Sequence, residues 1–251
     1  MNHIRNIFKQ AFFWIKSFIK NPKEFFVNFI LDFKKDLKAK KNFSSAHLVW
    51  CGGLPKSGTT LIEEIFDELP YVRLNHSPLR IFDVGNIDHE HGITENMFSN
   101  LPKKKYSFLK THTHYKIHYE KILNKYNAKI IISLRDLRDM LISRYFHIMS
   151  DNKHWQYSIL KNLSFEEGFI KSLTDKQKET EQKPIEYYYY WINNWIRISK
   201  DKKYLVLWYD DYIKDPVKYI QNILDYTEFK NLSAEKIEMK IRSNLEKKEP
   251  D

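Results

Sequence analysis

The chain has 251 residues, 42 Lys+Arg against 32 Asp+Glu, a formal net charge of +10, and 42% hydrophobic and 16% aromatic residues. So much apolar material excludes disorder for most of the chain, and the length fits one large or two small domains with a sizeable core. The single cysteine, Cys51, excludes an intramolecular disulfide and a Cys-based zinc site, and the charge excess calls for an anionic partner: nucleic acid, a membrane surface or an acidic small molecule.

In chain order, residues 1–41 hold ten Lys/Arg and three acids, a net of +7, so the rest of the chain carries only +3. Ile4, Ile7, Phe8, Ala11, Phe12, Ile15, Phe18 and Ile19 recur at helical spacing, with Arg5, Lys9, Lys16 and Lys20 elsewhere around the helix. Pro22 ends that stripe, and Phe25, Phe26, Phe29, Ile30, Phe33 and Leu37 form a second one beside a lysine run. Lys16, Lys20, Lys23, Glu24 and Asp32 interrupt every candidate membrane span, and no small-residue cleavage site marks a signal peptide. The arm therefore reads either as an amphipathic helix pair lying on an anionic membrane or as a helical hairpin packed on the body or on another subunit. A cytoplasmic location, peripheral at a membrane if the first reading holds, and no nucleic-acid partner are the matching expectations. Oligomeric state is left open.

After a polar linker, strands and helices alternate over 48–251, which predicts an α/β domain: a parallel sheet flanked by helices. Predicted strands cover 48–52, 106–110, 129–134 and 204–208. Predicted helices cover 60–69, 115–126, 139–149, 165–173 and 187–198, one more starts at Asp215-Pro216, and 234–248 reads as a charged helix. Ligands of such sheets bind at the carboxyl ends of the strands.

Three strand ends carry chemistry. The first runs into Gly53-Leu54-Pro55-Lys56-Ser57-Gly58-Thr59-Thr60, where backbone N–H groups of a glycine-bounded loop and a helix N-terminus can cradle phosphate. The glycine spacing equals that of a nucleotide-triphosphatase P-loop, but Thr59 stands where that motif needs Lys, which discourages a P-loop kinase using ATP. The cation has moved to Lys56, where it can neutralise charge on a departing phosphate oxygen. The second end, Lys110-Thr111-His112-Thr113-His114, places Lys110 and His112 on one face if the strand persists that far. A neutral imidazole there can take a proton from an attacking hydroxyl. His114 and His118 lack the further ligands that a metal site needs, and no metal is expected. The third end joins Arg135, Asp136, Arg138 and Asp139 to Ser143 in the next helix, either a second phosphate site or a solvated run of ion pairs.

Together these clusters resemble the sulfotransferase family, which moves a sulfuryl group from 3′-phosphoadenosine 5′-phosphosulfate to an acceptor. Pro55 to Thr60 looks like the family's 5′-phosphosulfate loop, Phe108 to His112 like its lysine-threonine-histidine segment, and Arg135 to Ser143 like its 3′-phosphate segment. Trp208 to Pro216 is similar to a further signature, mainly structural. The resemblance implies the P-loop-like sulfotransferase fold, with 3′-phosphoadenosine 5′-phosphate as product and no metal. It assigns His112 as base, Lys56 to the leaving phosphate, Lys110 to the transferring group, Ser57, Gly58, Thr59 and Thr60 to the 5′-phosphate, and Arg135 and Ser143 to the 3′-phosphate.

The sequence also departs from the family pattern. Leu137 replaces a usual proline, and Leu61 replaces the aromatic residue that stacks on adenine in cytosolic members, so that stacking comes from elsewhere, with Tyr187, Tyr188 and Trp191 as candidates, or is absent. No arginine-lysine-glycine stretch precedes Asp251, which implies a shorter family branch, a truncated chain or weaker cofactor binding. A polar segment over 75–100, with His76, Asp83, Asp88, His89, Glu90, His91 and Glu95, lies where an acceptor-facing lid would sit and suits a carbohydrate or glycolipid hydroxyl, or another small-molecule acceptor. A non-catalytic membrane- or partner-binding module with a degenerate cofactor site is the remaining alternative.

Overall fold

The computed structural model describes residues 18–19, 21–23, 26–27, 30, 33–34, 47–69, 72–73, 93–95, 106–176, 183–200, 204–229 and 231–246. Most of the arm over 1–41 and of the polar segment over 75–100 lies outside them. The body begins with β1 (His47–Gly53), which leads through the loop after Gly53 into α1 (Thr59–Asp67). A two-residue strand, β2 (Val72–Arg73), precedes β3 (Tyr106–Thr111), α2 (Ile117–Lys125), β4 (Lys129–Leu134) and α3 (Leu137–Ser150). Then come α4 (Tyr157–Leu160), α5 (Phe165–Thr174), α6 (Pro184–Ser199), β5 (Tyr204–Trp208), α7 (Tyr209–Lys214), α8 (Pro216–Tyr226) and α9 (Ala234–Glu246).

The helix boundaries follow local chemistry. Asp136 caps α3 by accepting from the Arg138 N–H at 2.9 Å, so this helix starts two residues before the predicted 139. Ser164 and Glu167 form a reciprocal capping box on α5. Pro184 and Pro216 occupy first helical turns, where a missing N–H costs nothing, and Pro184 starts α6 ahead of the expected 187. Asn127 ends α2 with φ 50, its N–H on the Asn124 carbonyl at 3.0 Å and the Ala128 N–H on that of Leu123 at 2.9 Å. This reversal turns the chain straight into β4.

The sheet is parallel throughout, in the order β2-β3-β1-β4-β5. Alternation sends Val49, Cys51, Phe108, Ile131 and Leu207 to one face, against α1, α8 and α9. Leu48, Trp50, Leu109, Ile130 and Ile132 go to the other, against α2, α3 and α6. The chain leaves β1 first toward β3 and β2, and then returns to add β4 and β5 on its other side. The order reverses at β1, so its carboxyl end, between those of β3 and β4, is the switch point where a crevice opens.

Candidate active site

The loop after β1 is built around close approach. A Cβ on Gly53 would lie 2.3 Å from Thr59 Cγ2 and 2.7 Å from Ser57 Oγ, so no other residue fits. The Ser57 N–H and hydroxyl both donate to the Leu54 carbonyl, at 3.1 and 2.7 Å, and Ser133 Oγ donates to the Ser57 carbonyl at 2.7 Å. The Ser57 hydroxyl is thus committed to holding the loop against β4. Lys56 and Gly58 both have left-handed backbone, φ 72 and 97, a geometry that turns successive N–H groups inward. No side chain caps α1. The N–H groups of Thr59, Thr60 and Leu61, the first of the helix, therefore lack intrahelical acceptors and lie at its positive end. Lys56 and Thr60 are exposed beside them, while Ser57 and Thr59 are buried.

Lys110 stands opposite Cys51 in the β1–β3 register, and its ammonium contacts the Glu63 carboxylate from the second turn of α1. Burial pushes the Cys51 thiol far above its ordinary value and leaves it protonated and inert. β3 stops at Thr111, so strand alternation does not carry His112; its ring is oriented instead by the end of β1. His112 Nδ1–H donates to the Gly53 carbonyl at 2.5 Å. A carbonyl accepts only, so the neutral ring keeps its lone pair on Nε2, the form a general base needs. From the other side, Trp191 and Trp195 both donate their indole N–H to the Thr113 carbonyl, at 3.1 and 3.4 Å.

These contacts also show where the three aromatic candidates for adenine stacking lie. Trp191 is buried on Thr113, Tyr187 packs edge-on against His114 at 4.0 Å, and Tyr188 is buried beside Arg144. All three are buried.

At the third strand end the run of arginines and aspartates divides. Arg138 pairs bidentately with Asp136, at 3.1 and 3.0 Å, holding that carboxyl down at about 2; this is the solvated ion pair. Arg135 instead lays its guanidinium over the Tyr209 ring at 4.8 Å, with a buried Nε that has no hydrogen-bond partner among the described residues. The same ring fills the space above Gly58, where a Cβ would meet Tyr209 Cδ2 at 2.8 Å. Tyr209, read from sequence as part of a mainly structural signature, thus links the loop to Arg135. Ser143 sits half-buried in the second turn of α3, with no hydrogen bond to Arg135. Glu63 was missed as well; a carboxylate one turn into the helix after an anion loop was the available signal.

The neighbouring carboxyl ends of β1, β3 and β4 thus carry the N–H groups that open α1, the cations Lys56, Lys110 and Arg135, and an oriented imidazole. The set suits a polyanionic ligand and a proton-transfer step. His114 and His118 take part in ring contacts with Tyr187 and Tyr119, and among the described residues no three His, Cys, Asp or Glu converge as a metal would require. Nor, among those residues, is any helix long and apolar enough to cross a membrane.

The sulfotransferase domain model matches residues 47–249. Sulfotransferase 2A6 of Mus musculus is 27% identical over 194 residues, 75% of this chain and 61% of its own length. Flavonol 3-sulfotransferase of Flaveria bidentis is 28% identical over 188 residues, 71% of this chain and 55% of its own. The chain thus spans less than two thirds of the length of these relatives. A solved mouse sulfotransferase, SULT7A1 complexed with PAP, shares the fold with a TM-score of 0.55 at 18% identity, over 81% of this chain and 68% of that one. With the family model running from β1 past α9 over a strand-end crevice of this composition, the chain belongs to the sulfotransferase domain family.

Proposed function

We propose that the protein transfers a sulfuryl group from 3′-phosphoadenosine 5′-phosphosulfate to an acceptor hydroxyl. The observation that carries this reading is the pairing of an uncapped anion loop with Arg135, whose buried Nε has no protein partner, across the single ring of Tyr209. A buried donor left unsatisfied is costly unless a ligand completes it.

When bound, the cofactor supplies the sulfuryl group on a phosphate leaving group. The N–H groups of Thr59, Thr60 and Leu61, together with Gly58, would hold the 5′-phosphate. Thr59 and Thr60 also bring hydroxyls to this end, whereas Ser57 contributes through its grip on the loop. Lys56 would neutralise charge growing on the leaving oxygen, and Lys110 charge on the transferring group. His112 would accept the acceptor's proton at Nε2 while Nδ1–H, held by Gly53, steadies the imidazolium that forms. Arg135 and Ser143 would take the 3′-phosphate, the group that sets this cofactor apart from ATP. The polar character of 75–100 supports a carbohydrate or glycolipid hydroxyl as acceptor, and within that segment Glu95 pairs with Lys125 at 2.9 Å.

Calorimetric titration of adenosine 3′,5′-bisphosphate (PAP), with ATP in parallel, tests the reading. PAP is expected to bind and to be preferred over ATP; no binding at millimolar PAP, or a preference for ATP, would overturn it. Lys56→Ala and Arg135→Ala should each weaken PAP by about 10- to 100-fold, the value of one charge-assisted contact. His112→Ala should abolish turnover and leave PAP affinity intact.

The arm supports a second, independent proposal, attachment to an anionic membrane. Its described residues Phe18, Ile19, Phe26, Val27, Ile30 and Phe33 are all exposed, on a segment of net +7. Co-sedimentation of the full chain with anionic but not neutral vesicles is expected, and indifference to lipid charge would remove it.

A further inference from the structure

Sulfuryl transfer has no evident use for a carboxylate at the position of Glu63. An anion site gathers donors, and a negative charge beside it opposes every anionic ligand. Yet Glu63 contacts Lys110, the cation assigned to the transferring group, and the two side chains are only 18% and 15% exposed. In every other ion pair between described residues, at least one partner is more than 40% exposed. Pairs of that solvated kind contribute little. An enclosed pair is different, because removing either partner leaves the other charge in poor solvent.

Geometry ties the pair to the crevice. Cys51, opposite Lys110, lies two residues before Gly53, and Glu63 lies five residues after Gly58 on the helix whose N-terminus faces the loop. The lysine stem is long and rotatable, so an ammonium at this strand end needs a tether if it is to sit in one place.

We propose that Glu63 is the positioning residue of Lys110 and the counter-ion that limits how tightly the crevice holds a polyanionic cofactor and its product. The proposal rests on the sulfuryl-transfer reading. A bound anion meets an ammonium whose field is partly cancelled by the carboxylate. Affinity is thereby held down, and a multiply charged product can leave, a step that often limits turnover.

The test is PAP titration into the full chain as wild type, Glu63→Gln, Lys110→Gln and the double variant. It is paired with sulfate release to water from the cofactor, which needs no added acceptor. Glu63→Gln is isosteric and unmasks the full lysine charge, so PAP should bind about five- to twentyfold more tightly, with KM for the cofactor and kcat both falling. The double variant should bind PAP like Lys110→Gln alone. Glu63→Asp keeps the charge on a shorter stem and should retain wild-type PAP affinity while losing kcat.

A merely structural brace between α1 and β3 would lower Tm without tightening PAP. Unchanged or weaker binding by Glu63→Gln, or equal tightening in the Lys110→Gln background, overturns this proposal alone. A wild-type chain that binds no PAP overturns the sulfuryl-transfer reading and this proposal with it.

Discussion

At the scale of single residues, the loop places a side chain where glycine would be more comfortable and a glycine where no side chain fits. Lys56 has φ 72, and a residue with a Cβ pays about 1–2 kcal/mol for that backbone. Such strain persists where a fold over-determines it, and here the Ser57 hydrogen bonds to Leu54 close the turn. Lys56→Gly should therefore keep or slightly raise Tm, by up to about 1 kcal/mol of stability, while PAP affinity falls as it does for Lys56→Ala. A large loss of Tm in that variant would mean that the side chain braces the loop rather than serving a ligand. Gly58 is the converse case, with φ 97 and the Tyr209 ring 2.8 Å from any added Cβ. Gly58→Ala should cost about 1–3 kcal/mol in thermal or urea unfolding and weaken PAP binding, because Tyr209 must move and Arg135 rests on its ring. Glycine at 53 and 58 and lysine at 56 were legible in the sequence as an anion loop. That Tyr209 joins this loop to Arg135 was not, since Gly58 and Arg135 lie 151 and 74 residues before Tyr209 in the chain and the three meet only once β1, β4 and β5 stand side by side in the sheet.

At the scale of elements, α6 shows how a pattern read correctly as a helix hid its role. Trp191 and Trp195 are one turn apart, so both indoles reach the same carbonyl on Thr113, the residue after His112. Trp50, buried on the sheet, packs against Trp195 with ring centroids 5.0 Å apart. The His112–Thr113 segment is thus held from both sides, at His112 by the end of β1 and at Thr113 by α6. Trp191→Phe removes one donor and little volume. It should cost about 1 kcal/mol of stability, lower kcat severalfold and leave PAP affinity unchanged; a change in PAP affinity with kcat preserved would contradict the positioning role. Helical spacing also resolves the tyrosine run, with Tyr187 and Tyr188 inward and Tyr189 and Tyr190 more than half exposed. The missed β2 has two residues, too few to show any period, and its place at the sheet edge comes only from pairing with Tyr106 and Ser107.

At the scale of the whole molecule, stability on the acid side is expected to depend on a cluster that no motif announced. Arg144 is buried, has no carboxylate partner among the described residues, and donates to the Ser172 carbonyl at 3.1 Å and to Gln156 Oε1 at 2.5 Å, tying α3 to α5 and to the segment before α4. Beside it, burial first, then Arg144 and His147, lower the His154 imidazole below its ordinary value, and His154 Nδ1 accepts the Gln156 N–H at 3.1 Å. The unfolded chain therefore takes up this proton before the folded one does. His154 adds no penalty above about pH 6.5, and stability drops as the pH falls from there toward the lower folded-state value. Tm should decline across that window, and His154→Asn, which keeps an acceptor without a titrating ring, should flatten the decline; an unchanged acid limb would show that His154 is not its source. By itself the sequence determined the α/β class, the order of the longer strands and helices, the glycine-bounded loop after β1 and the three strand ends that carry charge, because periodicity, glycine spacing and capping are local. Only the tertiary structure decided that Arg138 pairs with Asp136 while Arg135 lies over Tyr209, that His112 Nδ1–H meets the Gly53 carbonyl, that Tyr187, Tyr188 and Trp191 of α6 are buried, and that Glu63 contacts Lys110. Each of those is a choice among partners distant in the chain, and it is made by the order of strands that brings three carboxyl ends together around β1.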